Sequence, residues 1–374
     1  MINKQSIYYW FFFPLLALLS AGSLTSCIYD SVVEETDMSG KTTLSITMRG
    51  VTKNPEQDGY DEYIQTLRII VFDASGKVYN QLYLQDDIEE WEIKGSGSNT
   101  YYEITQLLEN FSGGSSNFYF IANEEDYYIY NENETTNQTS LSSYLENDQL
   151  TEEQLKEYII ASTPDDQDWS EKPILMIANP SAQYIKPGEN NTIADVKLVR
   201  CVAKVQLIVQ KDNTDENKIP EDAVVTISNV FLHGTRPESY TLWENGTVIN
   251  GSDYSKTLLK ETESHEVGYP DSPYSSDIVY FPEKLYQDTT TEGDLYFTFT
   301  LNYTPNGDNT PTVRTYTVAI GKDDNKDGVV EDYNIYRNTF YTVTATLQWQ
   351  PTTPTMNIQV DAWEGKTMNV PPFE

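Results

Sequence analysis

Ile64-Gln65-Thr66-Leu67-Arg68-Ile69-Ile70-Val71-Phe72 runs into Asp73-Ala74-Ser75-Gly76-Lys77 and then into Val78-Tyr79-Asn80-Gln81-Leu82-Tyr83-Leu84. The first run favours β-structure, the middle five residues are turn formers, and the last run favours β-structure again, so the stretch predicts a hairpin. Upstream, Leu44, Ile46 and Met48 alternate with Ser45 and Thr47, the period-two pattern of a half-buried strand. A polar loop from Gly50 to Asp61 separates the two. Downstream, strands are expected at Tyr101–Ile104, Asn117–Ala122, Ile174–Ile177 and Ile193–Val209. Others follow at Val224–Leu232, Ser275–Phe281, Leu295–Tyr303, Val313–Ile320, Thr339–Trp349 and Met356–Trp363. A helical stretch is expected over roughly 139–160, where Thr151-Glu152-Glu153-Gln154 can cap a run containing Leu155, Tyr158 and Ile159. Many short strands with frequent turns predict a mainly β fold built of sandwiches. At 374 residues the chain exceeds the ~100–200 of a typical domain, which predicts two domains, 43–198 and 199–374.

The N-terminus has its own logic. Residues 1–26 carry Lys4, then an apolar stretch from Tyr8 to Leu19, then small and polar residues ending in Leu24-Thr25-Ser26-Cys27. This is the pattern of a secretory signal, with an apolar core too short to span a membrane. Its exit resembles the bacterial lipobox, in which the cysteine is diacylated and becomes the new N-terminus. Two acyl chains anchor stably where one binds only marginally. A membrane partner held through lipid (palmitate and its like) at Cys27 is therefore expected, with 27–42 as a tether. Cys201 is then the only cysteine left, and one thiol cannot form an intramolecular bridge. Within Val199-Arg200-Cys201-Val202-Ala203-Lys204-Val205 it reads as a buried structural cysteine in a strand.

Composition excludes some partners. With 58 acidic and 24 basic residues the net charge is −34, which repels phosphates and rules against nucleic acid. The acids lie among 28 Tyr, 13 Phe and 6 Trp, ample material for cores, so disorder is a poor reading. The two histidines, His233 and His265, are far apart, and neither a metalloprotease helix, a nucleophile elbow, a phosphate loop nor a paired C-x-x-C occurs. No enzyme is expected, and neither a catalytic residue nor a cofactor is assigned. Asp323-Asp324-Asn325-Lys326-Asp327-Gly328 fits the start of a calcium loop, with Asp323, Asn325 and Asp327 as oxygen donors. Asn334 stands where the closing glutamate belongs, and an acidic hairpin turn explains the run equally, so no metal ligand is assigned. Tyr127-Tyr128-Ile129-Tyr130 could stack saccharide rings, but such clusters more often line sheet faces, and packing is the reading adopted.

Several segments together resemble the FimA-type fimbrillins, pilus subunits of Bacteroidales. They are the lipobox with its tether and first strand; Leu67-Arg68-Ile69-Ile70-Val71-Phe72-Asp73-Ala74-Ser75-Gly76; and Phe118-Tyr119-Phe120-Ile121-Ala122-Asn123. Further along come Leu198-Val199-Arg200-Cys201-Val202-Ala203-Lys204-Val205, Ile278-Val279-Tyr280-Phe281-Pro282-Glu283, Arg337-Asn338-Thr339-Phe340-Tyr341-Thr342-Val343 and Ile358-Gln359-Val360-Asp361-Ala362-Trp363. Their order spans most of the chain.

The resemblance implies two β-sandwich domains of the fimbrillin type, with one or two short helices in the first. It implies a lipoprotein carried to the outer membrane, then a surface fimbrium supporting adhesion. In that family a processing protease cuts after the first strand, and a C-terminal strand of another pilus subunit fills the groove left behind. Here the removable strand would carry Leu44, Ile46 and Met48. The cut would fall between Arg49 and Gly50, with Lys53 as the nearby alternative. The donor would use Met356, Ile358, Val360 and Trp363. Stalk, tip and anchor positions stay open. So does the alternative of a surface glycan-binding lipoprotein from a polysaccharide-uptake system, which would keep its N-terminus intact.

Overall fold

The computed structural model describes residues 43–49, 63–89, 91–94, 101–107, 113–130, 139–161, 172–180, 182–214, 218–243, 251–286, 294–304, 310–321, 330, 332–348 and 355–364. In chain order the first half runs β1 (Thr43–Arg49), β2 (Leu67–Asp73), β3 (Gly76–Tyr83), α1 (Gln85–Glu89), β4 (Glu92–Lys94), β5 (Tyr101–Leu107) and β6 (Gly114–Ala122). It continues through α2 (Leu141–Leu145), α3 (Glu152–Lys156), β7 (Ile159–Ala161), β8 (Met176–Ala178), β9 (Gln183–Ile185), β10 (Asn190–Lys197) and β11 (Val199–Arg200). The second half is β12 (Val202–Lys211), β13 (Val224–Pro237), β14 (Ser239–Thr241), β15 (Gly251–Leu259), β16 (His265–Glu266) and β17 (Tyr274–Ser275). It closes with β18 (Val279–Pro282), β19 (Tyr296–Thr304), β20 (Thr312–Ala319), β21 (Thr339–Gln348) and β22 (Thr355–Glu364). The fold is mainly β.

The expected hairpin is β2–β3. Asp73 accepts the Ser75 N–H at 2.7 Å, and Gly76 takes the positive φ of 115° that the turn requires. Within β2, Ile69 to Phe72 is a continuous apolar run because both faces of the strand are covered. Leu67, Ile69 and Val71 join Phe118 and Phe120 of β6 in one core, while Ile70 and Phe72 join Tyr119 and Ile121 in another. Facing the first core is the sheet ordered β10-β1-β5-β4, which contributes Ile46, Ile193 and Val196. The two sheets make a sandwich. The second core lies under a layer of chain in which Leu141, Leu145, Leu150 and Leu155 are all buried.

The expected helical stretch is two five-residue helices, α2 and α3, with a turn between them in which the Leu150 N–H bonds the Asn147 carbonyl at 3.0 Å. The capping box at Thr151 and Gln154 starts α3 as its sequence predicts. With α1, three short helices stand among the described residues, where one or two were expected. The expected single strand Ile193–Val209 is also divided. β10 lies in the β1 sheet, β11 pairs with β8, and β12 pairs in parallel with β21. Periodicity alone could not show this, because each piece is apolar for a different core. The break falls at Cys201, fully buried, whose N–H bonds the Leu175 carbonyl at 2.9 Å.

From β12 onward a second sandwich forms. One sheet is ordered β17-β12-β21-β22 with β18 also on β12, and the other β15-β13-β19-β20 with β16 on β13. Ala203, Val205, Leu207 and Val209 face Val225, Ile227, Phe297 and Phe299 across the core. The halves are joined by β14, which leaves the second sandwich to pair with β7. Tyr240, Leu242, Cys201 and Val202 thereby enter the second core of the first half.

Candidate functional site

β1 lies inside its sheet. It pairs antiparallel with β5 through seven positions, from Thr43↔Leu107 to Arg49↔Tyr101, and in parallel with β10 from Thr43↔Asn190 to Arg49↔Lys197. The β10 ladder slips one residue between Ile46↔Ile193 and Met48↔Val196, a bulge that lets Ile193 and Val196 both enter the core despite their odd spacing. Ile46 has 0% exposure at the centre of this core, and Ser45 on the other face is 6% exposed. Leu44 and Met48 hold register positions on the face of Ile46. Withdrawing β1 would therefore strip two ladders of hydrogen bonds and open the core around Ile46.

Arg49 is the last residue of β1 and is still paired on both sides, while Gly50 and Lys53 lie outside the described residues, as do Cys27 and the run Asp323, Asn325 and Asp327. Among the described residues, no three His, Cys, Asp or Glu side chains gather as a metal site would need.

β22 pairs with β21 and with no other described strand, at the edge of its sheet. Its register sets Met356, Ile358 and Val360 opposite Leu347, Ala345 and Val343, all core residues. Trp363 stands opposite Phe340, on the other face and out of phase with those three.

The segments quoted for their resemblance converge on two buried polar centres. In the first half, Arg68 donates from Nε to both Glu124 oxygens at 2.9 Å and from a terminal nitrogen at 2.6 Å, with Asn80 accepting at 3.0 Å. Next to Glu124, Asn123 sits at positive φ, 63°, and its amide bonds Gln65 N, Tyr63 O and Ile174 O. In the second half, Arg337 pairs with Glu283 at 2.6 Å and donates to the carbonyls of Leu242 and Thr241 at 2.7 and 2.8 Å. Asn338, at φ 57°, accepts from Arg200 at 2.9 Å. Arg337 thus pins the strand that reaches across to β7. Sequence reasoning missed this convergence, since a pair 54 residues apart leaves no local signal.

Burial pushes the Cys201 thiol up to about 12, with the Glu283 charge adding and Arg337 opposing, so it stays protonated and inert. Tyr127 is buried in the joint and accepts the Leu175 N–H through its hydroxyl at 3.0 Å, whereas Tyr128 is exposed. His233 packs between Phe231 and Tyr296, and His265 is exposed.

Neither a family model nor a curated protein matches the chain. Solved structures align with much of its length. A fimbrial assembly protein from Parabacteroides distasonis aligns at 13% identity, with 86% of this chain and 98% of that one covered and a TM-score of 0.48. The tip fimbrial protein Mfa3 from Porphyromonas gingivalis, truncated at its C-terminus, aligns at 16% identity over 86% and 100%, again with a TM-score of 0.48. At such identities the roles of individual residues do not transfer from either protein.

Proposed function

We propose that the chain is a structural subunit of a cell-surface fimbria, with no catalytic role. It is exported as a lipoprotein acylated at Cys27, held first at the outer membrane, and polymerised by strand replacement in support of adhesion. One observation carries the reading. β1, a single short strand, completes a core on which it is fully paired at both edges. The β22 segment Thr355-Met356-Asn357-Ile358-Gln359-Val360 repeats the alternation of Thr43-Leu44-Ser45-Ile46-Thr47-Met48, with Thr and Ile at matching places. A β22 strand from another subunit would run parallel to β10 and antiparallel to β5, with Ile358 in the place of Ile46. Donor and acceptor are different surfaces, so the contact propagates head to tail.

In this scheme sandwich units 43–198 and 199–374 act as acceptor and donor. A protease cuts between Arg49 and Gly50, or at Lys53, and must first open the end of β1. Treating the intact protein with an arginine-specific protease tests the reading. The expected products are a chain beginning at Gly50 and a ladder of oligomers resolved by native electrophoresis. A Gly50 chain that stays monomeric, or an N-terminus that resists cutting in a protein recovered from the cell surface with Cys27 intact, contradicts polymerisation.

A further inference from the structure

The strand β13 changes phase partway along. Before the change Val225 and Ile227 are core residues, and after it Val230 and Leu232 are. Between the pairs Ser228↔Thr300 and Phe231↔Thr298, two residues of β13 lie opposite one of β19, and Asn229 takes a positive φ of 57°. An unbroken strand would bury Phe231 and His233. The bulge turns both outward, giving up core burial of a phenyl ring that would otherwise stabilise the fold.

The exposed side is organised. Phe231 and His233 stack at 5.4 Å with an interplanar angle of 23°, and Tyr296, directly across from His233 on β19, lies at 5.3 Å and 33°. Both imidazole nitrogens are held by hydroxyls, Nε2 by Thr298 at 2.9 Å and Nδ1 by Ser255 at 3.1 Å. The outward positions of β13, β15, β19 and β20 carry one formal charge, Asp253 opposite Thr235; Glu266 lies beyond the bulge on β16. This neutrality is set in a molecule of net charge −34.

We infer that this face binds a neutral saccharide, centred on Phe231, His233 and Tyr296. His233 lies between the other two rings and fixes them, so the π-surface left for the C–H face of a sugar ring is the outer face of Phe231 or Tyr296. Ser255 and Thr298 each keep hydrogen-bonding capacity beyond the bond to His233, and the Asp253 carboxylate accepts from sugar hydroxyls. Anionic glycans are disfavoured by the net charge. The site is independent of polymerisation and stands or falls apart from it.

Native gels of the intact protein cast with dextran, laminarin, yeast mannan or polygalacturonate test the inference. At least one neutral polysaccharide is expected to retard the protein, and polygalacturonate is not. The double variant Phe231→Ser/Tyr296→Ser is expected to weaken that retardation about tenfold or more. Ser255→Lys, at an exposed position, is expected to weaken it while the thermal midpoint falls only slightly for the one exposed bond to His233 that is lost, and it decides the matter should the double variant not fold. Absence of retardation by all three neutral polymers, retardation by polygalacturonate alone, or binding that survives Ser255→Lys overturns the inference.

Discussion

Ile46 reports on the slot more directly than any other side chain, because it has no exposed surface and its neighbours Ile69, Phe118 and Phe120 belong to strands that would remain if β1 left. Ile46→Ala in the intact chain is expected to cost about 3 kcal/mol by urea unfolding, since the cavity would lie in a packed core. At the first polar centre, Arg68→Met leaves Glu124, 0% exposed at its side chain, without its cation, and is expected to cost about 3–5 kcal/mol. The double variant Arg68→Met/Glu124→Leu should lose less than the single one. Glu152 gives a pH signature. Burial pushes its carboxyl up, but the Lys156 ammonium, the Tyr119 hydroxyl and the Asn117 amide outweigh that and hold it below its ordinary 4.5. A carboxylate depressed on folding stabilises above its unfolded pKa, and that stability is lost as pH falls through the folded value. The wild-type thermal midpoint should therefore drop further than that of Glu152→Gln between about pH 5 and about pH 3.

Among elements, β14 decides whether the two halves move as one. Its ladder to β7 is short, Ser239↔Ala161 to Thr241↔Ile159, but Trp243 donates to the Leu155 carbonyl at 2.9 Å and meets Tyr119 edge-on at 5.0 Å. Trp243→Ala is expected to cost about 3 kcal/mol and to split one calorimetric transition into two, because the joint core loses a large ring supplied by the second half. How much was legible in the sequence follows from which signals are local. Leu67–Phe72 with its turn is local, and the hairpin was readable from it. The capping box at Thr151 is local too. The division of Ile193–Val209 into strands of three sheets was hidden, because its apolar residues serve three different cores, Ile193 and Val196 one, Cys201 and Val202 the next, and Ala203 to Val209 the third. At the candidate site, the alternation of Leu44, Ile46 and Met48 was visible, and so was the odd spacing of Trp363 from Met356, Ile358 and Val360, whereas the two-sided pairing of β1 depends on β5 and the distant β10 and could not be read. The bulge at Asn229 was equally silent, since Val224–Leu232 reads as one strand.

At the scale of the molecule, the slot and the joint lie on opposite faces of one sheet, with Leu67, Ile69 and Val71 on the first and Ile70 and Phe72 on the second. Exchange of β1 would thus leave the joint packed, so an assembled subunit keeps the relation of its two sandwiches. In the proposed assembly a net charge of −34 on the full chain would set copies against one another, and raising salt to about 0.1 M, where the Debye length is about 10 Å, should hasten oligomer formation after cutting. In the proposed assembly the space of β1 accepts a β22 strand. Thermal unfolding of a chain comprising residues 50–374, with and without a synthetic peptide of sequence Thr355–Glu364, measures this directly. The expected result is a midpoint well below that of the full-length protein, restored by the peptide at one equivalent and not by its Ile358→Asp form. A chain that is as stable without β1 as with it, or a midpoint that neither peptide moves, would contradict the account.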